Sequence, residues 1–264
     1  MAVYGVLGDI HGNREALTAV IDALEAHGVT RLLCVGDIVG YNADPDECAT
    51  LLRERDAAAI SGNHDLIGTH HLGFDRCSNK AMHALEQTRR SLHPETARYL
   101  ETLPARLPIE ERVLLIHGGV RNVEQYMTKP RHIEENVRFL RSDYPGRNVC
   151  FFGDTLEQKV FEVEGETVRE IPALGAVILR EDREYFLNAG SVDASRKRGE
   201  PKRAEFAIFD SAALIVEFFR ISYNDALTES KAAAAGYRLN KWADRLYEVR
   251  RRIVGPRQVD SEAA

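Results

Sequence analysis

Short, wholly apolar runs alternate along the chain with amphipathic stretches of helical period. Val3 to Leu7 reads as a buried strand, and Arg14 to His27 as a helix whose Ala16, Leu17, Val20, Ile21 and Leu24 share one face before Gly28 ends it. Leu32-Leu33-Cys34-Val35 predicts a second buried strand, and Pro45 to Arg53 a helix with proline in its first turn. Ala57 to Ile60 predicts a weaker third strand. Strand, helix, strand, helix implies parallel pairing.

The rhythm then breaks. Residues 75 to 93 carry Ala81, Leu85, Thr88 and Leu92 at helical spacing, and a short helix follows from Pro94 to Leu103, so a helical insertion is expected over about 66–104. Strands resume at Val113 to Ile116 and Val149 to Phe152, with a helix around Ile133 to Leu140 between them. Three hairpins are expected beyond: Lys159 to Glu164 with Thr167 to Ile171, Ala176 to Arg180 with Glu184 to Asn188, and Ala204 to Phe209 with Ala213 to Arg220. These should form or complete a second sheet facing the first. A C-terminal helical extension over about 223–254 ends in an amphipathic helix marked by Trp242, Leu246, Val249 and Ile253, expected to dock as a structural element. Residues 255–264 read as a loose tail. No repeat or linker divides the 264 residues, so one domain over 1–264 is expected.

Composition narrows the function classes. Apolar residues make up 44% and charged residues 29%, ordinary for a globular chain, and the formal net charge of −6 argues against bulk nucleic-acid binding, which needs a surplus of Lys and Arg. Cys34, Cys48, Cys77 and Cys150 lie far apart with no metal-binding spacing and read as reduced thiols. The N-terminal apolar run is too short for a signal peptide and none reaches membrane-spanning length, so a cytoplasmic protein without membrane contact is expected, with oligomerisation left open.

Five of the apolar runs lead into a glycine-flanked polar group. Gly8-Asp9-Ile10-His11-Gly12-Asn13 places a carboxylate and an imidazole two residues apart on one loop, a bidentate half-site for a divalent cation. The others are Asp37 after Gly36, Asn63-His64-Asp65 after Gly62, His117, and Asp154 after Gly153. In parallel α/β sheets the functional crevice lies at the carboxyl ends of the strands, where all five groups would converge. Each alone is an ordinary turn former; their common setting points to a metal centre.

The order of these groups resembles the calcineurin-like metallophosphoesterase superfamily, and its bacterial phosphodiesterase branch in particular. The likeness extends to Gly36-Asp37-Ile38-Val39-Gly40-Tyr41, the turn from Pro45 to Cys48, the inserted helices and Asn188-Ala189-Gly190-Ser191-Val192. Ser/Thr protein phosphatases share Gly8-Asp9-x-His11-Gly12 but carry Asp-Arg-Gly where Gly40-Tyr41-Asn42 stands here. The resemblance implies an α/β fold, a four-layer α-β-β-α sandwich of two facing mixed sheets. It implies that Asp9 and His11 hold one metal, that Asp37 bridges two, and that Asn63 and His117 hold the second. His64 would stay outside the metal shell and donate to the phosphate or its leaving group, with Asp65 holding its ring. The implied reaction is hydrolysis of a phosphodiester or phosphomonoester, nucleotides included, by a hydroxide bridging two divalent metals.

One motif departs from the family. Where Gly-His-x-His is expected, the chain has Gly153-Asp154-Thr155-Leu156. Asp154 can replace an imidazole at the second metal, whereas Leu156 ligates nothing, so the first site needs water or an acid such as Glu157. An oxygen-rich shell favours Mn²⁺ or Fe²⁺ over Zn²⁺. Three carboxylates against two divalent cations leave a formal charge of about +1, one less than the family pattern, and weaken attraction for phosphate. The alternative readings are a metal- and phosphate-ligand-binding homologue with little or no turnover and, more remotely, a structural protein without metal. Asn13 and Arg14 are candidates to reach the substrate, the basic segment from Arg196 to Arg203 could pass near the site, and His70 and His71 could line it.

Overall fold

The computed structural model describes residues 2–29, 31–193 and 202–254, without the side chains of 243 and 250–254. The expected tail 255–264 and positions 196–201 of the basic segment lie outside the described residues. The chain runs β1 (Val3–Leu7), α1 (Arg14–Ala26), β2 (Arg31–Cys34), α2 (Pro45–Glu54), β3 (Ala58–Ala59), α3 (Asn63–Gly68), α4 (Asn79–Ser91) and α5 (Pro94–Thr102). It continues through β4 (Arg106–Ile109), β5 (Val113–Ile116), α6 (Pro130–Asp143), β6 (Val149–Phe152), β7 (Gln158–Glu164), β8 (Thr167–Ile171) and β9 (Ala176–Ile178). The last elements are β10 (Glu184–Ala189), β11 (Ala204–Asp210), β12 (Ile215–Ile221), α7 (Asp225–Ala234) and α8 (Lys241–Val254).

Two mixed six-stranded sheets result, ordered β3-β2-β1-β11-β12-β9 and β4-β5-β6-β10-β7-β8. Tyr4, Val6, Leu33 and Val35 of the first meet Leu115, Phe151 and Leu187 of the second in a shared apolar core. Helices α1, α2 and α5 cover the outer face of the first sheet, and α6 covers that of the second through Ile133, Val137 and Leu140. This is the expected α-β-β-α layering, since each sheet has two apolar faces to bury.

Several expectations are corrected. Residues 176–178 and 184–189 form no hairpin: β9 pairs with β12 in the first sheet, whereas β10 pairs with β6 and β7 in the second. Burial explains the separation. β10 is buried at five of six positions and takes a central place, while β9 is exposed at both ends and serves as an edge. The parallel strands of the site do not share a sheet either, because β1, β2 and β3 lie in the first and β5 and β6 in the second. Strand β4 was hidden by Pro108, which is tolerated because β4 is an edge strand. Helix α8 docks, but by its polar face: Asn79 Nδ2 donates to Asp244 Oδ1 at 2.8 Å and Tyr247 OH to Glu86 Oε2 at 2.6 Å. No helix among the described residues is long and apolar enough to cross a membrane.

Candidate metal centre

The carboxyl ends of β1, β2, β3, β5 and β6 open onto one buried polar cluster. The first two loops are zipped together by backbone bonds, with Asp9 N donating to Gly36 O at 3.0 Å, and Ile10 N and His11 N to Asp37 O at 2.8 and 2.9 Å. This pairing holds Asp9, His11 and Asp37 in left-handed backbone conformations, with φ of 50°, 51° and 56°; Asp154 has φ of 65°. Non-glycine residues occupy that region at a cost, and such strain persists where surrounding contacts over-determine it. Gly40, at φ +139°, lies so close that a Cβ there would stand 2.5 Å from His64 Nδ1 and 3.2 Å from His11 Nδ1. A Cβ on Gly62 would collide with the Asp37 carboxylate.

Two groups of donor atoms share Asp37. Those of Asp9, Asp37 and His117 lie within 4.8 Å of one another, as do those of His11, Asp37 and His64. His117 Nε2 faces Asn63 Oδ1 at 2.9 Å, Asp37 Oδ1 at 3.3 Å and Asp154 Oδ1 at 4.0 Å. His11 lies 3.9 Å from Asp37 and 4.0 Å from Asp9, its ring packed against Tyr41 and His64 at centroid distances of 4.9 and 4.6 Å. Asp9 also accepts from Asp154 N at 3.2 Å, which joins the β1 and β6 loops across the two sheets. The structure thus brings Asp9, His11, Asp37, Asn63, His117 and Asp154 together, with His64 beside them.

The electrostatics call for positive charge at the centre. Burial pushes the Asp154 carboxyl up to about 6, against the pull of His117 and with repulsion from Asp37. Burial likewise drives Asp9 well above the usual carboxylate range, partly offset by His117. Asp37 differs: burial opposes its ionisation, but His117, His64 and His11 around it hold it below its ordinary value. In return Asp37 lifts His117 well above the ordinary imidazole range in spite of burial. The fit to cations rests on two further observations. Asp154 Oδ2 is buried with no hydrogen-bond partner among the described residues. His117 Nδ1 lies 2.7 Å from Val35 O, so it donates there, and Nε2 turns toward three oxygens that a cation between them would satisfy. A mixed imidazole, amide and carboxylate set suits Mn²⁺, Fe²⁺ or Zn²⁺.

Other expected site residues have different tasks. Asn13 is buried: its Oδ1 caps α1 by accepting Ala16 N at 3.0 Å, and its Nδ2 donates to Asp193 Oδ1 at 2.8 Å and Tyr223 OH at 3.2 Å. It positions the first ligand loop and is not placed to take a phosphate. Arg14 is exposed at the start of α1. Asp65 accepts from Ile38 N and Val39 N through Oδ1 and from Gly62 N through Oδ2, at 2.9, 3.1 and 2.9 Å, so it braces the β2 and β3 loops instead of holding the His64 ring. Burial, followed by the Asp37 charge, raises Asp65 to about 7. Glu157 is 48% exposed and pairs with Lys159 at 3.7 Å. His70 and His71 are exposed.

Two supports were not legible as such. Asn188 Nδ2 donates to Gly153 O and Thr155 Oγ1, both at 2.9 Å, and Ser191 Oγ to Asp9 O at 3.0 Å, so the end of β10 and the turn after it tie the β6 and β1 loops. On the other side, Arg238 donates to Tyr41 O at 2.9 Å and Asn42 Oδ1 at 3.0 Å, and Lys231 pairs with both Glu15 and Asp44. The C-terminal extension therefore clamps the loop from Tyr41 to Asp44.

A family profile described as calcineurin-like phosphoesterase matches residues 3–164. An uncharacterized protein of Methanocaldococcus jannaschii is 30% identical over 226 residues, covering 84% of this chain and 88% of the relative. A metallophosphoesterase from Sphaerobacter thermophilus superposes with a TM-score of 0.74 at 29% identity, covering 92% of this chain and 97% of its own. A hypothetical protein from Pyrococcus horikoshii shares the fold at a TM-score of 0.69 and 19% identity, over 93% of this chain and 97% of its own.

Proposed function

The chain belongs to the calcineurin-like phosphoesterase family, and from that premise we propose that it is a metal-dependent phosphoesterase acting on a small phosphodiester or phosphomonoester, nucleotides included. The reading rests above all on the buried Asp37 carboxylate, which donor atoms of Asp9 and His117 approach on one side and those of His11 and His64 on the other, as a residue common to two cation sites would require; the division of the ligands between the sites follows the family likeness. Asp9 and His11 would hold one cation and Asn63, His117 and Asp154 the other, with Mn²⁺ or Fe²⁺ favoured by the oxygen donors. When bound, two divalent cations supply a water of lowered pKa and a positive clamp for phosphoryl oxygens. The protein's own groups do the rest. Asp37 stays ionised at neutral pH and accepts His64 N at 2.8 Å, which fixes the start of α3 and the backbone of His64 at the centre's edge. From there the His64 imidazole donates to a phosphoryl or leaving-group oxygen. Asp65 positions the backbone around both.

Hydrolysis of an aryl phosphodiester by the full chain with saturating Mn²⁺, compared with its Asp37→Asn variant, tests the proposal. Activity at least about 100-fold above the variant is expected; equal rates would overturn it. One observation favours a second reading, a phosphate-ligand-binding homologue with little turnover: Leu156 stands where the family pattern has an imidazole, so the first cation would have fewer protein donors. Nucleotide binding without hydrolysis under Mn²⁺, Fe²⁺ and Zn²⁺ alike would establish that reading instead.

A further inference from the structure

Helix α8 is amphipathic the wrong way round for a helix that merely packs on its own fold. Trp242, Leu246 and Val249 are 78, 71 and 52% exposed, and their spacing of four and three residues sets them in one stripe. Asp244 and Tyr247, which bond Asn79 and Glu86 of α4, lie roughly 140–200° around the helix from Trp242 at about 100° per residue. The polar back is thus fastened and the apolar front faces outward.

The charge pattern identifies what the front meets. The α8 sequence carries Lys241, Arg245, Arg250, Arg251 and Arg252 against Asp244 and Glu248, a net +3 in a chain of net −6. The helical repeat puts Lys241 and Arg245 along one flank of the stripe, while Asp244 lies at the fastened back. Pairing with a second α8 would bring together two helices of net +3, and a nucleic acid, whose bases can stack on the indole, offers no apolar partner to Leu246 and Val249. An apolar stripe on a helix of net positive charge matches an anionic lipid interface, where the stripe enters the acyl boundary and Lys241 and Arg245 beside it meet headgroup charge.

We propose that α8 is a peripheral docking element for an anionic lipid surface, held ready by its polar bonds to α4. This reverses the expectation of no membrane contact drawn from the lack of a spanning segment. It is independent of the proposed hydrolysis, so either can fail alone.

The test is co-sedimentation of the full chain with vesicles of phosphatidylcholine alone or mixed with phosphatidylglycerol. Binding is expected only to the mixed vesicles, weakening in high salt. It should fall on the order of tenfold in Trp242→Ser with Leu246→Ser and also in Arg245→Glu, which leaves the apolar stripe whole. All three positions are exposed, and an unchanged circular dichroism spectrum verifies that the variants fold. Absence of vesicle binding, or binding undiminished in the double variant, overturns the proposal. So does a dimer in solution that the double variant dissociates, since the stripe then belongs to a second copy of the chain.

Discussion

His117 Nδ1 lies 2.7 Å from the carbonyl oxygen of Val35, the residue that follows β2. The bond runs from the second sheet to the first, fixes the imidazole tautomer and aims Nε2 at Asn63 and Asp37. Because orientation and donor are supplied by one ring, His117→Ala should abolish tight binding of one of two cations and lower hydrolysis on the order of 100-fold. Calorimetric titration with Mn²⁺ checks the stoichiometry, and two cations binding as tightly as in the parent chain would refute the assignment.

His64 sits beside His11 at a ring separation of 4.6 Å, near enough to ligate and equally near to donate to substrate. The proposed role as donor predicts that His64→Gln lowers kcat roughly 100-fold or more while Mn²⁺ affinity stays within a factor of about two. A parallel loss of Mn²⁺ affinity would make it a ligand.

Replacing Asp154 and Leu156 together by histidine restores two imidazoles on the β6 loop. Mn²⁺ should bind the first site about tenfold more tightly, and hydrolysis should rise with it. An unchanged titration would show that the first site is already complete.

The raised carboxyls give the metal-free chain a definite pH dependence. Asp154, taken from 3.8 to about 6, and Asp65, taken from 3.8 to about 7, both bind more protons folded than unfolded in the window between those values. His117, raised above its ordinary 6.5, stabilises below that value and loses this as pH rises further. All three make stability fall as pH rises from about 4 to above 7. Thermal melts of chelator-treated protein should show a lower Tm at pH 7 than at pH 5, and saturating Mn²⁺ should raise Tm more at pH 7. Equal Tm gains at the two pH values would count against cation binding by these carboxylates.

Lys231 joins Glu15 on α1 to Asp44 beside the site. Lys231→Met leaves two largely buried acids without their shared cation and should cost about 1–2 kcal/mol in urea unfolding. If the clamp holds the loop from Tyr41 to Asp44 in place, Mn²⁺ affinity should fall as well. Unchanged affinity would confine Lys231 to stability.

The sequence revealed most of this fold because its central strands are buried on both faces and read as unbroken apolar runs: Val113–Ile116 and Val149–Phe152 were placed to the residue. It revealed less where position is decided by what lies across the fold. Nothing in Ala176–Ile178 says that it crosses to the other sheet from the residues it precedes. The cluster of candidate ligands was legible because glycine-flanked Asp and His after apolar runs are a local pattern. Asn13 was misread because its commitments to Asp193, Tyr223 and Thr228 lie 180 to 215 residues away. The stripe on α8 was visible in the sequence, but which way it faced depended on Asn79 and Glu86.

The joining of the β1 and β6 loops through Asp154 N and the Asp9 carboxylate reaches beyond catalysis. Of the six candidate ligands, Asp9, His11, Asp37 and Asn63 come from the first 63 residues and His117 and Asp154 from far beyond them, so a partly folded molecule would offer only scattered weak donors. On the proposed function, occupancy would be a certificate of completed assembly: a truncated or misregistered copy would remain unloaded. Scavenging the metal should in turn loosen both sheet ends at once, visible as hydrogen exchange accelerating together at residues 8–13 and 152–156.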